Sequence, residues 1–266
     1  MPEMKKILVT GGAGFIGSNF IRHILNKYDD YTIVNLDKLT YCGNLDNLKD
    51  ISKNRRYKFV KGDIVDAKVV EKAAKSCEVI VNFAAETHVD RSIHGAAEFV
   101  RTNIFGTHTL LEVAKKLKTR LYIQISTDEV FGSISEGSFK EDDPLNQNSP
   151  YSSTKAGGDL LARSYFTTYK LPVIITRSSN NFGPYQYPEK VIPLFITNLL
   201  QNKKVPLYAD GMNVRDWLYV IDNCEAIDLI LRKGRAGEIY NIGGTAEITN
   251  LELTYNILEM LGKDER

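Results

Sequence analysis

The chain has 266 residues, 43% of them apolar and 25% charged, with a formal net charge of +1. That is the composition of an ordinary soluble globular protein able to bury a full core. Its lysines and arginines are spread along the chain, which argues against nucleic acid or an anionic membrane as a partner. Three cysteines, Cys42, Cys77 and Cys224, stand far apart without a C-x-x-C pair. They argue against a disulfide framework or a zinc site and suit a reducing compartment, the cytoplasm.

The basic start "MPEMKK" leads into an apolar run, Ile7 to Val9, that Thr10, Gly11 and Gly12 end too soon for a signal peptide. No stretch reaches the roughly eighteen apolar residues of a membrane span. Short β-branched runs then alternate with helical patterns. "KILVT" (6–10), "YTIVNL" (31–36), "YKFV" (57–60), "EVIVNF" (78–83), "RLYIQIS" (120–126) and "PVIIT" (172–176) read as buried parallel strands. Helices are predicted at about 15–27, 66–75, 101–118 and 150–170. This alternation predicts an α/β fold, a doubly wound parallel Rossmann sheet with helices on both faces. After Arg177 the pattern loosens into a stretch richer in Asn, Pro, Gly and Tyr, with a helix at 189–202 and a strand at 238–242 that returns to the sheet. The expected division is a dinucleotide-binding domain over 1–177 and a smaller, interleaved substrate lobe over 178–266.

"LVTGGAGFIGSNF" follows the first strand and opens the first helix. Its Gly11, Gly14 and Gly17 would allow the turn and let a pyrophosphate reach the backbone at a helix N-terminus. Glycines also serve simply as turn residues; the position between strand and helix is what gives these three weight. Asp37 closes the second strand, twenty residues beyond Gly17. A carboxylate there can accept both ribose hydroxyls and would repel a 2′-phosphate, so NAD is expected rather than NADP, with Lys38 blurring the choice slightly. "GDI" (62–64) and "FAAET" (83–87) end strands on the same side and would line the same crevice.

"SPYSSTKAG" places Tyr151 and Lys155 four residues apart at a helix start, on one face. A lysine near a phenol favours the phenolate, a base suited to a sugar hydroxyl. Alone, such a pair is most simply a surface Tyr and Lys; behind a dinucleotide loop it gains meaning. "ISTDEVFGS" adds two neighbouring carboxylates, Asp128 and Glu129, which are either a solvated turn or an acid and a base. Consecutive strand residues face opposite ways, so both can serve one sugar only if the chain turns just after Ser126.

"TGGAGFIGSNF", "NLDKLTYCGNL", "FAAETHVDRSI", "STDEVFGS", "SPYSSTKAGGDLLA", "TRSSNNFGPYQYPEKVIPLFI" and "DGMNVRDWLYV" together resemble the dTDP-glucose 4,6-dehydratases, extended short-chain dehydrogenases of the nucleotide-sugar branch. The match runs from Lys6 to Leu253. The resemblance implies transient reduction of NAD, loss of water from dTDP-glucose, and dTDP-4-dehydro-6-deoxyglucose as the product, a precursor of deoxysugars such as rhamnose. It assigns Tyr151, with Lys155, to the carbon-4 hydroxyl, with Thr127 bonding that oxygen. Glu129 would take the carbon-5 proton, and Asp128 would protonate the departing hydroxyl.

By the same matching the cofactor would meet Gly11, Gly14, Phe15, Ile16, Gly17, Asp37, Lys38, Thr40, Asp63, Ile64, Phe83, Ala84, Ala85, Thr102, Tyr151, Lys155 and Asn181. The substrate would meet Thr87, Thr127, Asn180, Lys190, Val191, Pro206, Leu207, Tyr208, Arg215 and Asn250. No metal is implied. On local sequence alone, Arg215 could equally be a surface partner of Asp216, and Trp217 reads as lobe core. The family also implies a homodimer through helices 101–118 and 150–170.

Family members continue past this chain's last residues, and their later Arg-Pro-Gly-His-Asp type segment is missing here. A nucleotide-sugar 4-epimerase shares the loop and the Tyr/Lys pair but needs no second acid and base. A GDP-mannose-type 4,6-dehydratase should accommodate a 2′-phosphate where Asp37 sits. A chain that only binds NAD or a nucleotide sugar is the reading from another class.

Overall fold

The computed structural model describes residues 5–134 and 136–264. Strands β1 (Lys5–Thr10), β2 (Tyr31–Asp37), β3 (Tyr57–Lys61), β4 (Val79–Asn82), β5 (Leu121–Thr127) and β6 (Val173–Ser178) lie within two residues of the bounds expected. They join β9 (Ile239–Ile242) in a seven-stranded sheet of order β3-β2-β1-β4-β5-β6-β9. Every pairing in it is parallel. The order reverses between β1 and β4, which opens a crevice at the carboxyl ends of the strands.

Side chains alternate across the sheet. Ile7 and Val9 face one layer with Phe20, Ile24 and Ile227, while Leu8 faces the other with Leu110, Ala162 and Tyr165. Ile7, Leu8 and Val9 are wholly buried, each stabilising the fold by about 1.5–3 kcal/mol relative to exposure. Register is pinned by polar pairs as well. Thr10 lies opposite Asn82 and donates to its Oδ1 at 2.6 Å; Asn82 lies opposite Gln124 and donates to its Oε1 at 3.0 Å.

Helices α1 (Phe15–Lys27), α2 (Ala67–Ala74), α5 (Thr107–Leu117), α6 (Pro150–Tyr169) and α8 (Val220–Lys233) cover the faces. The helix expected over 101–118 is α-helical only from Thr107. A π-helical stretch, Val100–Gly106, precedes it, and two short helices missed in sequence, α3 (Val89–His94) and α4 (Ala96–Phe99), lead in. The widened turn holds Asn103 in place. Its Oδ1 accepts from Glu86 N at 2.9 Å, and its Nδ2 donates to Glu86 O and to Thr154 Oγ1, both at 3.0 Å.

The second span crosses the first. β9 pairs with β6, and α8 packs on α1. Around them β7 (Asn180–Phe182), β8 (Val214–Tyr219) and β10 (Glu247–Thr249) form a small sheet, with α7 (Val191–Leu200) and α9 (Asn250–Met260). Its own apolar cluster holds Phe195, Leu199, Leu253, Ile257 and Leu258. Among the described residues no helix is long and apolar enough to cross a membrane.

Candidate active site

A cavity of about 500 Å³ opens at the reversal point, between the main sheet and the small one. Its floor is the glycine loop. Gly11 has φ +69°, and a Cβ there would lie 2.6 Å from Ala84 N; a Cβ on Gly17 would lie 2.5 Å from Gly11 O. Those two are glycines for the fold. Gly14 is different. As the residue capping α1 it has φ −80°, which any residue adopts, and a Cβ would meet only Gly11 O at 3.3 Å. It lines the cavity, so what a side chain would fill there is ligand space at a helix N-terminus.

Asp37 ends β2 at the cavity wall, 8% exposed. Its Oδ2 accepts from Ala13 N at 2.9 Å and its Oδ1 from Leu39 N at 2.8 Å. Burial raises its pKa while these two donors oppose the rise. Lys38, the residue that blurred the choice between cofactors, pairs with Asp63 at 2.9 Å, and Arg101 reaches the same carboxylate at 3.2 Å.

The acids sit where β5 ends. The strand runs one residue further than expected, to Thr127, and a 3₁₀ turn, Asp128–Phe131, follows at once. Thr127 Oγ1 accepts from Glu129 N at 3.3 Å and donates to Asp128 Oδ1 at 3.2 Å. Gly132 closes the turn with φ +86°, and a Cβ there would lie 2.1 Å from Asn146 O. The turn brings Thr127 and Glu129 to the cavity wall, while Asp128 bonds back to Thr127 and is not among the lining residues.

Both carboxyls are pushed up by burial. Asp128 also adds to Glu129, but Lys190 and Arg215 pull Glu129 back down. Asp128 has only hydrogen-bond donors to oppose its rise, and Asp216 adds to it.

Ser149, Pro150 and Ser152 start α6 with a capping box, which fixes Tyr151 and Lys155 one turn inside. Tyr151 is 7% exposed and Lys155 6%. The lysine's hydrogen bond goes to Ile125 O at 2.6 Å rather than to the phenol. Burial, then Glu129, Asp128 and Asp159, raise the Tyr151 pKa, and the Thr127 hydroxyl opposes them. Burial and the neighbouring carboxylates are thus the groups that raise the phenol here, and Lys155 makes no hydrogen bond to it.

Every other residue expected at the cofactor lines the cavity, as do Thr87, Asn180, Lys190, Val191, Arg215 and Asn250. Pro206, Leu207 and Tyr208 do not: they precede turns at Ala209 (φ 49°) and Gly211 (φ 73°), with Tyr208 68% exposed. Arg215 does not pair with its neighbour. Asp216 Oδ2 accepts from Gly244 N at 2.6 Å, and Arg215 donates to Val214 O. Trp217 packs on the lobe core, as expected, and also lines the cavity.

Sequence reasoning missed the loops that roof the site. The Arg91 guanidinium lies 3.8 Å over the Tyr41 ring and bonds Glu189 at 3.1 Å, and Tyr187 meets Tyr41 edge-on at 5.5 Å. Tyr41, Tyr187 and Glu189 all line the cavity. The presence of Tyr41 and Arg91 within the quoted motifs was the signal available.

A family profile described as GDP-mannose 4,6 dehydratase matches residues 8–266. The low-salt glycan biosynthesis protein Agl12 of Haloferax volcanii is 55% identical over 97% of this chain and 83% of its own length. A dTDP-glucose 4,6-dehydratase of Streptomyces niveus is 53% identical over 97% and 78%. The solved dTDP-glucose 4,6-dehydratase of Streptomyces venezuelae, with NAD bound, superposes with a TM-score of 0.95 at 52% identity, covering 97% of this chain and 82% of that one. By fold, cavity and sequence, the chain belongs to the dTDP-glucose 4,6-dehydratases of the extended short-chain dehydrogenase/reductase family.

Proposed function

We propose that this chain dehydrates dTDP-glucose to dTDP-4-dehydro-6-deoxyglucose with NAD, in deoxysugar biosynthesis. The observation that carries the reading is one cavity lined by the Gly14 cradle, Asp37, Tyr151 and Glu129 together. The residues fit the dinucleotide: Gly14 leaves room at a helix N-terminus, Asp37 presents a carboxylate, and Lys38 is engaged by Asp63. Bound NAD would supply the hydride acceptor for carbon 4 of the sugar and the hydride donor for carbon 6.

Tyr151 takes the proton of the carbon-4 hydroxyl while Thr127 hydrogen-bonds that oxygen. The Lys155 ammonium, close below on the same helix, supplies positive charge to the cofactor half. The 4-ketone acidifies the carbon-5 hydrogen, which Glu129 removes. Asp128 swings from Thr127 to protonate the carbon-6 hydroxyl, and water leaves. A proton then returns to carbon 5. Lys190 and Arg215 suit the pyrophosphate, Arg215 through its planar fork, and Asn180 and Asn250 bind beside them.

Residues 1–177 then hold the dinucleotide and 178–266 the nucleotide sugar, with β9 and α8 interleaved. The chain is read as a cytoplasmic homodimer joined through residues 101–118 and α6, supported by exposed Phe105 in the π-helical stretch before α5 and exposed Leu160 on α6. Incubation with dTDP-glucose and NAD should yield a product lighter by one water with a 4-keto group. An unchanged mass with galactose formed would point to an epimerase, and NAD binding without turnover to a binding module.

A further inference from the structure

Tyr151, Lys155 and Asp159 follow at four-residue steps along α6, so their side chains lie in one column on one helix face. Lys155 is 6% exposed and Asp159 1%. The Lys155 ammonium donates to Ile125 O of β5 at 2.6 Å. From β6, Arg177, 4% exposed, sets its Nε 3.2 Å from Asp159 Oδ2. The guanidinium is held in turn by Glu141 O at 3.1 Å and lies 4.7 Å over the Phe131 ring. The carboxylate is thus paired with Arg177 on one side, and Lys155 stands one helical turn from it in the same buried column without a direct bond to it.

A bridge that only fastened α6 to β6 would need no lysine in the column. Helix stability does not explain the arrangement either, since an acid four residues after a lysine is the less favourable order. Burial drives a lysine toward the neutral amine. It brings Lys155 down to about 8, and Asp159 is the charge that pulls upward against it. The ionisable groups around Asp159 are Arg177 from β6, Lys155 and Tyr151 from α6, and Tyr122 from β5. Ser126 of β5 stands beside it.

We infer that Asp159, fixed by Arg177, is a positioning residue that holds Lys155 as an ammonium on the Ile125 carbonyl. The cofactor half of the site is thereby cationic at neutral pH. This rests on the reading of Lys155 as a cofactor-binding residue. Asp159 touches neither cofactor nor sugar and acts through the lysine.

Two measurements test it without sugar turnover: the pH dependence of NAD affinity by calorimetry, and the Lys155 titration by NMR of lysine labelled at Cε. Asp159→Asn with Arg177→Met removes the carboxylate without leaving a bare buried guanidinium, the costly outcome of breaking such a pair. Arg177→Met alone keeps the carboxylate. The ammonium form, and the affinity it supports, is present below the lysine pKa and lost above it. The double variant should titrate Lys155 at least one pH unit lower than the parent, and NAD affinity should fall about threefold at pH 7.5 and about tenfold above pH 9, where both forms have largely lost the proton. Arg177→Met should titrate at or above the parent value, and Asp159→Glu should restore the parent profile. A folded double variant, judged by its melting curve, with the parent's Lys155 titration would overturn the inference, as would an equal downward shift in Arg177→Met. A parent chain that bound no NAD would overturn the cofactor reading instead, and the NMR titration would still decide the role of Asp159.

Discussion

Asp128 and Glu129 share one turn but not one electrostatic environment. Both are raised by burial, yet only Glu129 has Lys190 and Arg215 drawing it back toward the carboxylate. Environments that push neighbouring acids apart are what one site needs to hold an acid and a base together. The proposed mechanism uses that difference, with the proton on Asp128 and the open carboxylate on Glu129 for the elimination step.

Asp128→Asn and Glu129→Gln should each lower kcat by about 10²–10⁴-fold, the usual worth of a general acid or base. The double variant should still give the 4-ketone while losing no water, which mass spectrometry of the sugar nucleotide resolves. Lys190→Met removes a charge that lowers Glu129. The base is active above its pKa, so the acid limb of the rate profile should move to higher pH in that variant.

Gly14 and Gly17 sit three residues apart in one loop and should fail in different ways. Gly17→Ala drives a Cβ to 2.5 Å from Gly11 O and should lower the melting temperature, with overpacking costing about 1–3 kcal/mol. Gly14→Ala has only the 3.3 Å contact to Gly11 O and should fold nearly as the parent does while binding NAD far more weakly. Melting curves beside calorimetric titration separate the two. Equal loss of stability in both would mean that the Gly14 position serves the turn and not a ligand.

The sheet was legible because buried parallel strands are apolar runs whose ends are marked by a change of composition. Even the return of β9 was visible in "EIYNI". The glycine loop was legible because its meaning is local. The 3₁₀ turn after Thr127 was anticipated from the two-residue period of a strand, one residue early. The π-helical stretch was not legible, because 101–118 keeps a helical apolar spacing and the widened turn depends on Asn103 meeting Glu86 and Thr154. Nor were the roof contacts, since Arg91 and Glu189 lie 98 residues apart and no local pattern joins them. The segment Pro206–Tyr208 matched by motif alone, and two left-handed residues after it turn the chain at the surface.

On the proposed reading, Asp37 and Asp63 divide the work of cofactor choice. Asp37 meets the cavity as a carboxylate, and Asp63 holds Lys38 at 2.9 Å. Asp63→Asn should therefore free Lys38 and narrow the preference for NAD over NADP without abolishing NAD binding. Asp37→Asn should narrow it further, about tenfold or more, since a single full charge contact is worth about 1.5–3 kcal/mol. Paired dissociation constants for the two dinucleotides check the order. A preference unchanged in both variants would place the discrimination elsewhere.

Asp228 on α8 is an acid-labile anchor of the fold. Its side chain is fully buried and gathers Lys27 at 2.8 Å, His23 at 3.2 Å and Arg232 at 3.0 Å, with the Tyr28 hydroxyl at 2.9 Å. These partners hold its pKa at about 2, against the ordinary 3.8, although burial alone would raise it. A carboxylate depressed in the folded state gives stability that is complete above its unfolded pKa and lost as pH falls through the folded one. The window is therefore about pH 5 down to pH 2, and the amount about 2 kcal/mol. Asp228→Asn should lower the melting temperature at pH 7 by about 4–8 °C, the shift such a loss produces in a chain of this size. The gap between parent and variant should close as pH falls from 5 to 2, because the parent's carboxyl is then protonated too. NAD affinity at pH 7 should not change, since His23 and Lys27 lie in the later turns of α1, away from Gly14. A gap that stayed constant down to pH 2 would show that packing, and not the charge on Asp228, joins α8 to α1.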